Sequence, residues 1–355
     1  MSSKRVAIIC GGRSSEHEIS CISARGVLSA IDRSKFEPIL IGITRDGSWV
    51  LLDSENPFHI GSDSLPSVPG DAEPLTAGID GFSSKAGPLH IDIAFPLLHG
   101  PYGEDGTIQG FFEMSGIPYV GSGVLASAVA MDKTFAKPIY QDFGLKVAEG
   151  FTVHEREWRT SPQQIITKIQ SLGFPVFIKP ARSGSSRGTF KVKSASEIEH
   201  ALREAHKLDP RAMVEVAIVG REVECAVLEI DGVATPSVIG EIRVHESREF
   251  YDFEAKYLDG ATSFDVPAEI DSAVAEKIAR AAVTAFTALG CEGLARVDFF
   301  LQSDGAIIIN EVNTMPGFTE KSVFPMLWRA SGKSYTEIIT QLLISAQTRA
   351  QGVVR

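Results

Sequence analysis

Leu294-Ala-Arg-Val-Asp-Phe-Phe-Leu301 and Ile307-Ile-Ile-Asn-Glu-Val-Asn313, with Asp304-Gly305 between them, form the stretch on which the fold turns. Both runs are rich in apolar and β-branched residues, and Asp-Gly is a preferred pair for a two-residue hairpin turn. With that turn, Asp298 faces Glu311, Arg296 faces Asn313, and all four point to one side of the ladder. Val297, Phe299, Leu301, Ile308 and Val312 then make the apolar opposite face. Two directly opposed carboxylates repel and weaken a hairpin. A divalent cation between them reverses the sign. The ligands are all oxygen, with no His or Cys beside them, so the cation is hard, and Mg²⁺ is favoured if it also holds phosphates. A solvated polar face on an ordinary hairpin fits the same spacing, so the hairpin alone leaves both readings open.

About a hundred residues upstream, Val176-Phe-Ile-Lys179-Pro180 runs into Ala-Arg-Ser183-Gly184-Ser185-Ser186-Arg-Gly188, and Thr189–Val192 is extended again. Small residues let backbone N–H groups approach an anion, hydroxyls add donors, and Lys179 adds a positive charge. This is strand–loop–strand, not the strand–loop–helix of a Walker A site, and no GxxxxGK[ST] occurs. A plain glycine-rich hairpin loop is the competing reading. Its pairing with the carboxylate hairpin favours nucleotide. Gly121-Ser-Gly123 matches a loose dinucleotide fingerprint, but the acidic Asp142 follows a helical stretch rather than a second strand. That match carries no weight.

Working outward, Val6–Cys10 reads as a buried strand ending in Gly11-Gly12, followed by a helix over 19–31 and strands over 38–44 and 90–98. This alternation predicts a parallel, helix-covered sheet. Residues 53–88 show no period and read as a loop-rich excursion. A smaller α/β unit spans 153–215. After Gly220 come strands at 222–230 and 235–242, a helix at 271–289, the hairpin, and a last helix at 335–349. The expected division is 1–121, 122–219 and 220–355.

The 355 residues are 44% hydrophobic and carry a net charge of −11. The acidic balance opposes a nucleic-acid partner. No apolar run approaches the ~20 residues a membrane span requires. The basic start leads to an apolar run ending at Cys10, too short for a signal peptide. Cys10, Cys21, Cys225 and Cys291 are widely spaced and suit buried thiols in a reducing compartment, so a cytoplasmic location is expected.

The hairpin and loop, in this order, resemble the ATP-grasp fold, and four further segments narrow the resemblance to the D-alanine–D-alanine ligases. These are Gly11-Gly-Arg-Ser-Ser-Glu16-His17-Glu18, Leu98-His99-Gly-Pro-Tyr-Gly-Glu104-Asp105-Gly106, Tyr251-Asp-Phe-Glu-Ala-Lys256-Tyr257 and Asn310-Glu311-Val-Asn313-Thr-Met-Pro-Gly317-Phe-Thr-Glu-Lys-Ser322. The resemblance covers essentially the whole chain. It implies an N-terminal parallel α/β domain followed by two α+β subdomains enclosing ATP. Each segment also has an ordinary reading: Glu16 as a helix-start acid, His99 as a satisfied core histidine, Tyr257 as packing, Asp132-Lys133 as a solvated pair.

The implied chemistry is ATP-dependent. The γ-phosphoryl of ATP passes to a D-alanine carboxylate, and the amine of a second D-alanine attacks the acyl phosphate. The product is D-alanyl-D-alanine, a peptidoglycan precursor, with ADP and phosphate. By resemblance Lys133, Lys179, Ser183, Gly184, Ser185, Ser186, Glu215, Glu222 and Lys256 bind nucleotide, with Glu222 on ribose. Asp298, Glu311 and Asn313 hold two Mg²⁺, for which Mn²⁺ substitutes. Glu16 takes the first amino group and links with Ser185 and Tyr257. Arg296 and the Gly317 N–H stabilise the tetrahedral oxyanion, Ser322 takes the second carboxylate, and His99 stands near substrate. Val216 departs from a lysine common in the family. Val323, beside Ser322, and the retained Tyr257 favour D-alanine over D-serine or D-lactate as acceptor. A homodimer is the family's habit. The competing readings are another ATP-grasp carboxylate–amine ligase, a nucleotide-binding regulatory module, and, resting on Gly121 alone, a nicotinamide oxidoreductase.

Overall fold

The computed structural model describes residues 3–55, 58, 65–184, 187–244 and 262–349. Four sheets are present among them. In the first, β1 (Lys4–Gly11) lies parallel to β2 (Phe36–Ile43) and, on its other side, to β8 (Ile93–Pro96). The edge beyond β2 is made by the antiparallel β3 (Trp49–Leu52) and β4 (Glu73–Pro74). Helix α1 (His17–Ala30) follows β1 directly. Alternate residues of β1 enter two different cores, Val6, Ile8 and Cys10 on one face and Ala7 and Ile9 on the other. A strand buried on both faces needs a continuous apolar run, and Val6–Cys10 supplies it. The loops at the C-terminal ends of β1 and β8 carry Glu16 and His99, the edge where open α/β sheets bind ligands.

The 53–88 stretch contains more order than its composition suggests. Strands β5 (Thr76–Gly78), β6 (Gly81–Ser84) and β7 (Gly87–Leu89) form a three-stranded antiparallel sheet. Phe82 anchors it, buried with ring centroids 5.5 Å from Trp49 and 5.7 Å from Phe111. Strands of three or four residues are too short to show a period of two, so only the buried aromatic could have signalled them.

After α2 (Thr107–Ser115), α3 (Val124–Met131) and α4 (Lys133–Asp142) comes the second sheet. Its order is β11 (Phe190–Val192), β10 (Val176–Pro180), β12 (Arg211–Val216), β9 (Gly150–His154), all antiparallel. Helix α7 (Ile198–His206) covers one face; the short α5 (Glu155–Thr160) and α6 (Pro162–Ser171) complete the unit. The third sheet is also antiparallel, in the order β15 (Thr262–Asp265), β14 (Val233–Val244), β13 (Arg221–Ile230), β16 (Leu294–Leu301), β17 (Ile307–Asn313). Helix α8 (Ser272–Ala288) packs on its far face, with its N-terminus capped by Asp271, which accepts the Ala273 N–H at 2.8 Å.

The β16–β17 hairpin departs from expectation near its turn. Gln302 N–H donates to Ala306 O and Leu301 pairs with Ile307, so the loop holds three residues, Ser303–Gly305, with Gly305 at φ +81°. Asn310 is then an extra residue, a bulge between the Asp298–Glu311 and Phe299–Ile309 pairs. The longer loop and the bulge offset each other, so Asp298 still faces Glu311 and Arg296 still faces Asn313. Between bulge and turn the register is shifted by one, which reverses the faces. Ile308 pairs with Phe300 and lines the cleft, whereas Ile309 is in the core beneath. The outer edge of β17 is covered, because Ile309 N–H donates to Lys146 O at 2.8 Å.

Helices α9 (Val323–Ala330) and α10 (Tyr335–Thr348) close the structure. They carry one continuous core from the first sheet (Val6, Ile8, Phe95) to the third (Ala226, Leu228, Leu294). Phe318 is fully buried at its centre, 5.5 Å from Phe95 and 5.8 Å from Phe324 between ring centroids. Phe318→Ala is expected to cost about 3–5 kcal/mol in urea unfolding; a loss under about 1 kcal/mol would show that the two sheets do not share this core.

Candidate active site

The second and third sheets face each other across a cleft of about 1090 Å³, part of it open to solvent. Alternation on the strands decides which residues enter it. On β10, Val176, Ile178 and Pro180 are buried, so Phe177 and Lys179 face the cleft, with Glu215 of β12 directly opposite Phe177. On the third sheet, Glu222 pairs with Phe300 and Glu224 with Asp298, so all four share the cleft face with Arg296 and Glu311. Helix α4 contributes Lys133 and Lys137, one turn apart on one face.

Charge compensation organises these side chains. Arg296 grips Asp298 with two parallel bonds, Nε to Oδ1 and Nη2 to Oδ2, each 2.8 Å. Its Nε also lies 3.2 Å from Glu224 Oε2. Asn313 Nδ2 donates to Asp298 Oδ2 at 2.9 Å. Glu311 is paired with Lys133 at 2.8 Å, and the same ammonium donates to Ser183 O at 3.1 Å. Glu215 accepts from Lys179 and from Lys137, one on each oxygen. Burial pushes the Glu215 carboxyl up, but Lys137 and then Lys179 outweigh it and hold it at about 2. Lys133 is the first residue of α4, where the helix dipole disfavours a cation. Burial lowers it further, yet Glu311 leaves it raised overall.

Asp298, Glu311 and the Asn313 amide present hard oxygens on one strand pair at the cleft wall, a donor set that suits Mg²⁺. Among the described residues no three His, Cys, Asp or Glu side chains converge as a metal cluster. Asp298 is paired instead with Arg296, and Glu311 with Lys133. The chemistry of these oxygens fits a hard divalent cation.

A second group lies at the edge of the first sheet. Gly100, at φ +72°, leaves room for Glu16, whose Oε2 is 2.7 Å from where a Cβ on Gly100 would stand. The same oxygen is 3.5 Å from the corresponding point on Gly184, so the glycine-rich loop reaches Glu16. Glu104 is partly buried, and its carboxyl oxygens accept the Gly100 N–H at 2.7 Å and the Met315 N–H at 3.0 Å. His99 holds the other side of Met315, with Nδ1 3.0 Å from Met315 O and Nε2 3.0 Å from Ser23 Oγ. Met315 O can only accept, so Nδ1 carries the proton and the Ser23 hydroxyl donates to Nε2. Burial lowers the His99 pKa, keeping the ring neutral. Two residues beyond Met315, Gly317 approaches Ser322, whose Oγ accepts the Thr319 N–H at 3.0 Å. Ser322 is the N-cap of α9, so it stands at the positive end of that helix.

Family models for the D-ala D-ala ligase N-terminus and C-terminus match residues 5–122 and 139–344. The chain belongs to the D-alanine–D-alanine ligase family. It is 46% identical over 364 residues to a D-alanine--D-alanine ligase of Arthrobacter sp. (strain FB24), covering 98% of this chain and 95% of the relative. Among solved structures it is similar to the VanG D-Ala:D-Ser ligase of Enterococcus faecalis. The two are 35% identical with a TM-score of 0.85, covering 97% of this chain and 100% of that one. The D-alanine-D-alanine ligase of Coxiella burnetii is 33% identical with a TM-score of 0.83, covering 98% and 96%. The ATP-grasp architecture expected from the motifs is the one observed.

Of the residues singled out in sequence, Lys133, Lys179, Ser183, Glu215, Glu222, Arg296, Asp298 and Glu311 line the cleft, with Asn313 bonded to Asp298. Glu16 and Gly184 meet at one place, and Gly317 and Ser322 at another. His99 is not at an open surface; it is 4% exposed with both nitrogens engaged. Ser185, Ser186, Lys256 and Tyr257 lie outside the described residues. Gly121 serves packing: its carbonyl accepts from Arg349 at 2.6 Å, and the fingerprint has no part in the cleft. Three residues went unassigned in sequence: Lys137, Glu224 and Glu104. Lys137 was legible only as the position one turn after Lys133.

Burial and then Glu16 raise the Glu104 carboxyl to about 8. An acid raised above its unfolded value is protonated in the folded chain while the unfolded chain ionises, so its contribution to stability falls from about pH 4.5 to pH 8. Glu104→Gln removes that titration. Urea unfolding between pH 5 and 8 should therefore show a shallower decline in the variant, and parallel declines would contradict the assignment.

Proposed function

We infer that this chain joins two D-alanine molecules at the expense of ATP, through a D-alanyl phosphate, for peptidoglycan precursor synthesis. The observation that carries the reading is the meeting of three elements around the cleft: lysines beside a glycine-rich loop, paired carboxylates on a strand hairpin, and a carboxylate–glycine pocket at the edge of the first sheet. The apolar flank formed by Phe177, Val216, Ile218, Ile242, Phe300 and Ile308 suits a purine, with Glu222 on the same wall for ribose. Lys133 and Lys179 supply fixed positive charge for the phosphates, and phosphoryl transfer needs mainly position and charge. Mg²⁺ held by Asp298, Glu311 and Asn313 would neutralise phosphate charge; Mn²⁺ has the same oxygen preference.

Glu16, between Gly100 and Gly184, accepts the ammonium of the first D-alanine and so directs its carboxylate toward the cleft. Transfer of the γ-phosphoryl group to that carboxylate breaks the bond to ADP and creates an acyl phosphate. The amine of the second D-alanine then forms a bond to the carbonyl carbon. The resulting oxyanion is stabilised by Arg296 and the Gly317 N–H, and collapse expels phosphate. Ser322, at the start of α9, takes the second carboxylate. Ser185, Tyr257 and Lys256 complete the set by family resemblance, with His99 a positioning residue through Met315. The same resemblance supports two metal ions, a homodimer and a cytoplasmic setting. It also supports the 1–121, 122–219 and 220–355 division, as the two facing sheets do.

Purified chain with D-alanine, ATP and Mg²⁺ is expected to yield D-alanyl-D-alanine, ADP and phosphate in equal amounts by mass spectrometry and phosphate assay. Dipeptide absent from a folded sample would refute the reading. The D-Ala:D-Ser ligase among the solved relatives makes D-serine the informative competitor as acceptor. With Val323 rather than a basic residue beside Ser322, D-alanine should win. Arg296→Ala leaves Asp298 and Glu224 without their guanidinium and removes the oxyanion partner. Its kcat should drop about 10²- to 10³-fold; a fall under about threefold would remove Arg296 from that role.

A further inference from the structure

Among the described residues, Lys137 is the one cation lining the cleft to which the reaction gives no task. Its side chain is 6% exposed, and its ammonium is committed to Glu215 Oε2 while Lys179 holds Oε1. A buried carboxylate beside phosphate-binding lysines is a liability for anion binding unless something offsets it. If Lys179 were the sole partner of Glu215, its move to a phosphate would strand a buried negative charge, a costly state. Lys137, one turn along α4 from Lys133, removes that cost.

We propose that Lys137 is a positioning residue: it keeps Glu215 compensated when Lys179 turns to the nucleotide phosphates, and thereby sets the affinity for ATP. The surrounding electrostatics agree. The ammoniums of Lys137 and Lys133 both repel that of Lys179, whose pKa is lowered by burial first and by these neighbours next, against the pull of Glu215. The Lys137–Glu215–Lys179 group carries surplus positive charge, which an arriving phosphate relieves. When Lys179 turns to a phosphate, Lys137 remains on the other oxygen of Glu215.

The inference rests on the nucleotide reading of the cleft, and equilibrium binding separates the two. The full chain is titrated with Mg²⁺ and a non-hydrolysable ATP analogue by calorimetry, as wild type, Lys137→Met, Lys137→Arg, Glu215→Gln and Lys137→Met/Glu215→Gln. Lys137→Met should weaken binding about tenfold, and Lys137→Arg should restore it to within about threefold. On the Glu215→Gln background, where no charge needs compensation, the methionine substitution should cost under about threefold. Lys137→Gln replaces the methionine variant in the same cycle if that protein is unfolded. Equal costs on both backgrounds, or wild-type affinity in Lys137→Met, would overturn the inference alone. A wild-type chain that does not bind the analogue would overturn the nucleotide reading and the inference with it.

Discussion

Asp298 and Glu311 face each other across the β16–β17 ladder, and much of the cleft's chemistry follows from that opposition. Like charges across a strand pair destabilise it unless each is met by a cation. Arg296 meets one and Lys133 the other. Both cations are also suited to phosphate or oxyanion. On the proposed reading, metal and nucleotide together would exchange those partners without leaving any charge unpaired. Glu215, with Lys137 and Lys179, repeats the arrangement on the facing sheet.

This compensation is useful only if the cleft is held in register with the substrate pocket. The Met315 backbone provides that link. Glu104 takes its N–H and His99 its C=O, and both belong to the loop that shapes the space around Glu16. The core shared by the first and third sheets fixes the same loop from beneath, through Phe318 and helices α9 and α10. A displacement at Phe318 would reach Gly317 and Ser322 within a few residues in either direction.

The hairpin shows how far spacing arguments reach. The cross-strand partners at the metal end were legible because Asp304-Gly305 marks the turn and apolar alternation marks the faces. The loop was expected one residue too short, and the bulge at Asn310 restored the register beyond it. The pairing was therefore right at Asp298 and Glu311 and reversed at Ile308. A bulge leaves no local signal when its residue, Asn310, sits inside an otherwise regular run. The sheet at 76–89 was hidden for a different reason, since its strands are too short for periodicity. Lys137 and Glu104 depend on tertiary partners 78 and 211 residues away, and no local pattern encodes such a pairing. Fold class was legible because strand and helix periods are local. The wiring of charges was not, because it is made between elements.

If the Asp298–Glu311 pair holds a divalent cation with the nucleotide, Mn²⁺ reports on it directly. Free Mn²⁺ measured by electron paramagnetic resonance, in the presence of a non-hydrolysable ATP analogue, gives the cation affinity of the ternary complex. Asp298→Asn keeps the size of the side chain while removing one charge and one of the two oxygens that accept from Arg296. This variant is expected to bind Mn²⁺ at least about tenfold more weakly than wild type at saturating nucleotide. Equal affinity in the two proteins would contradict it.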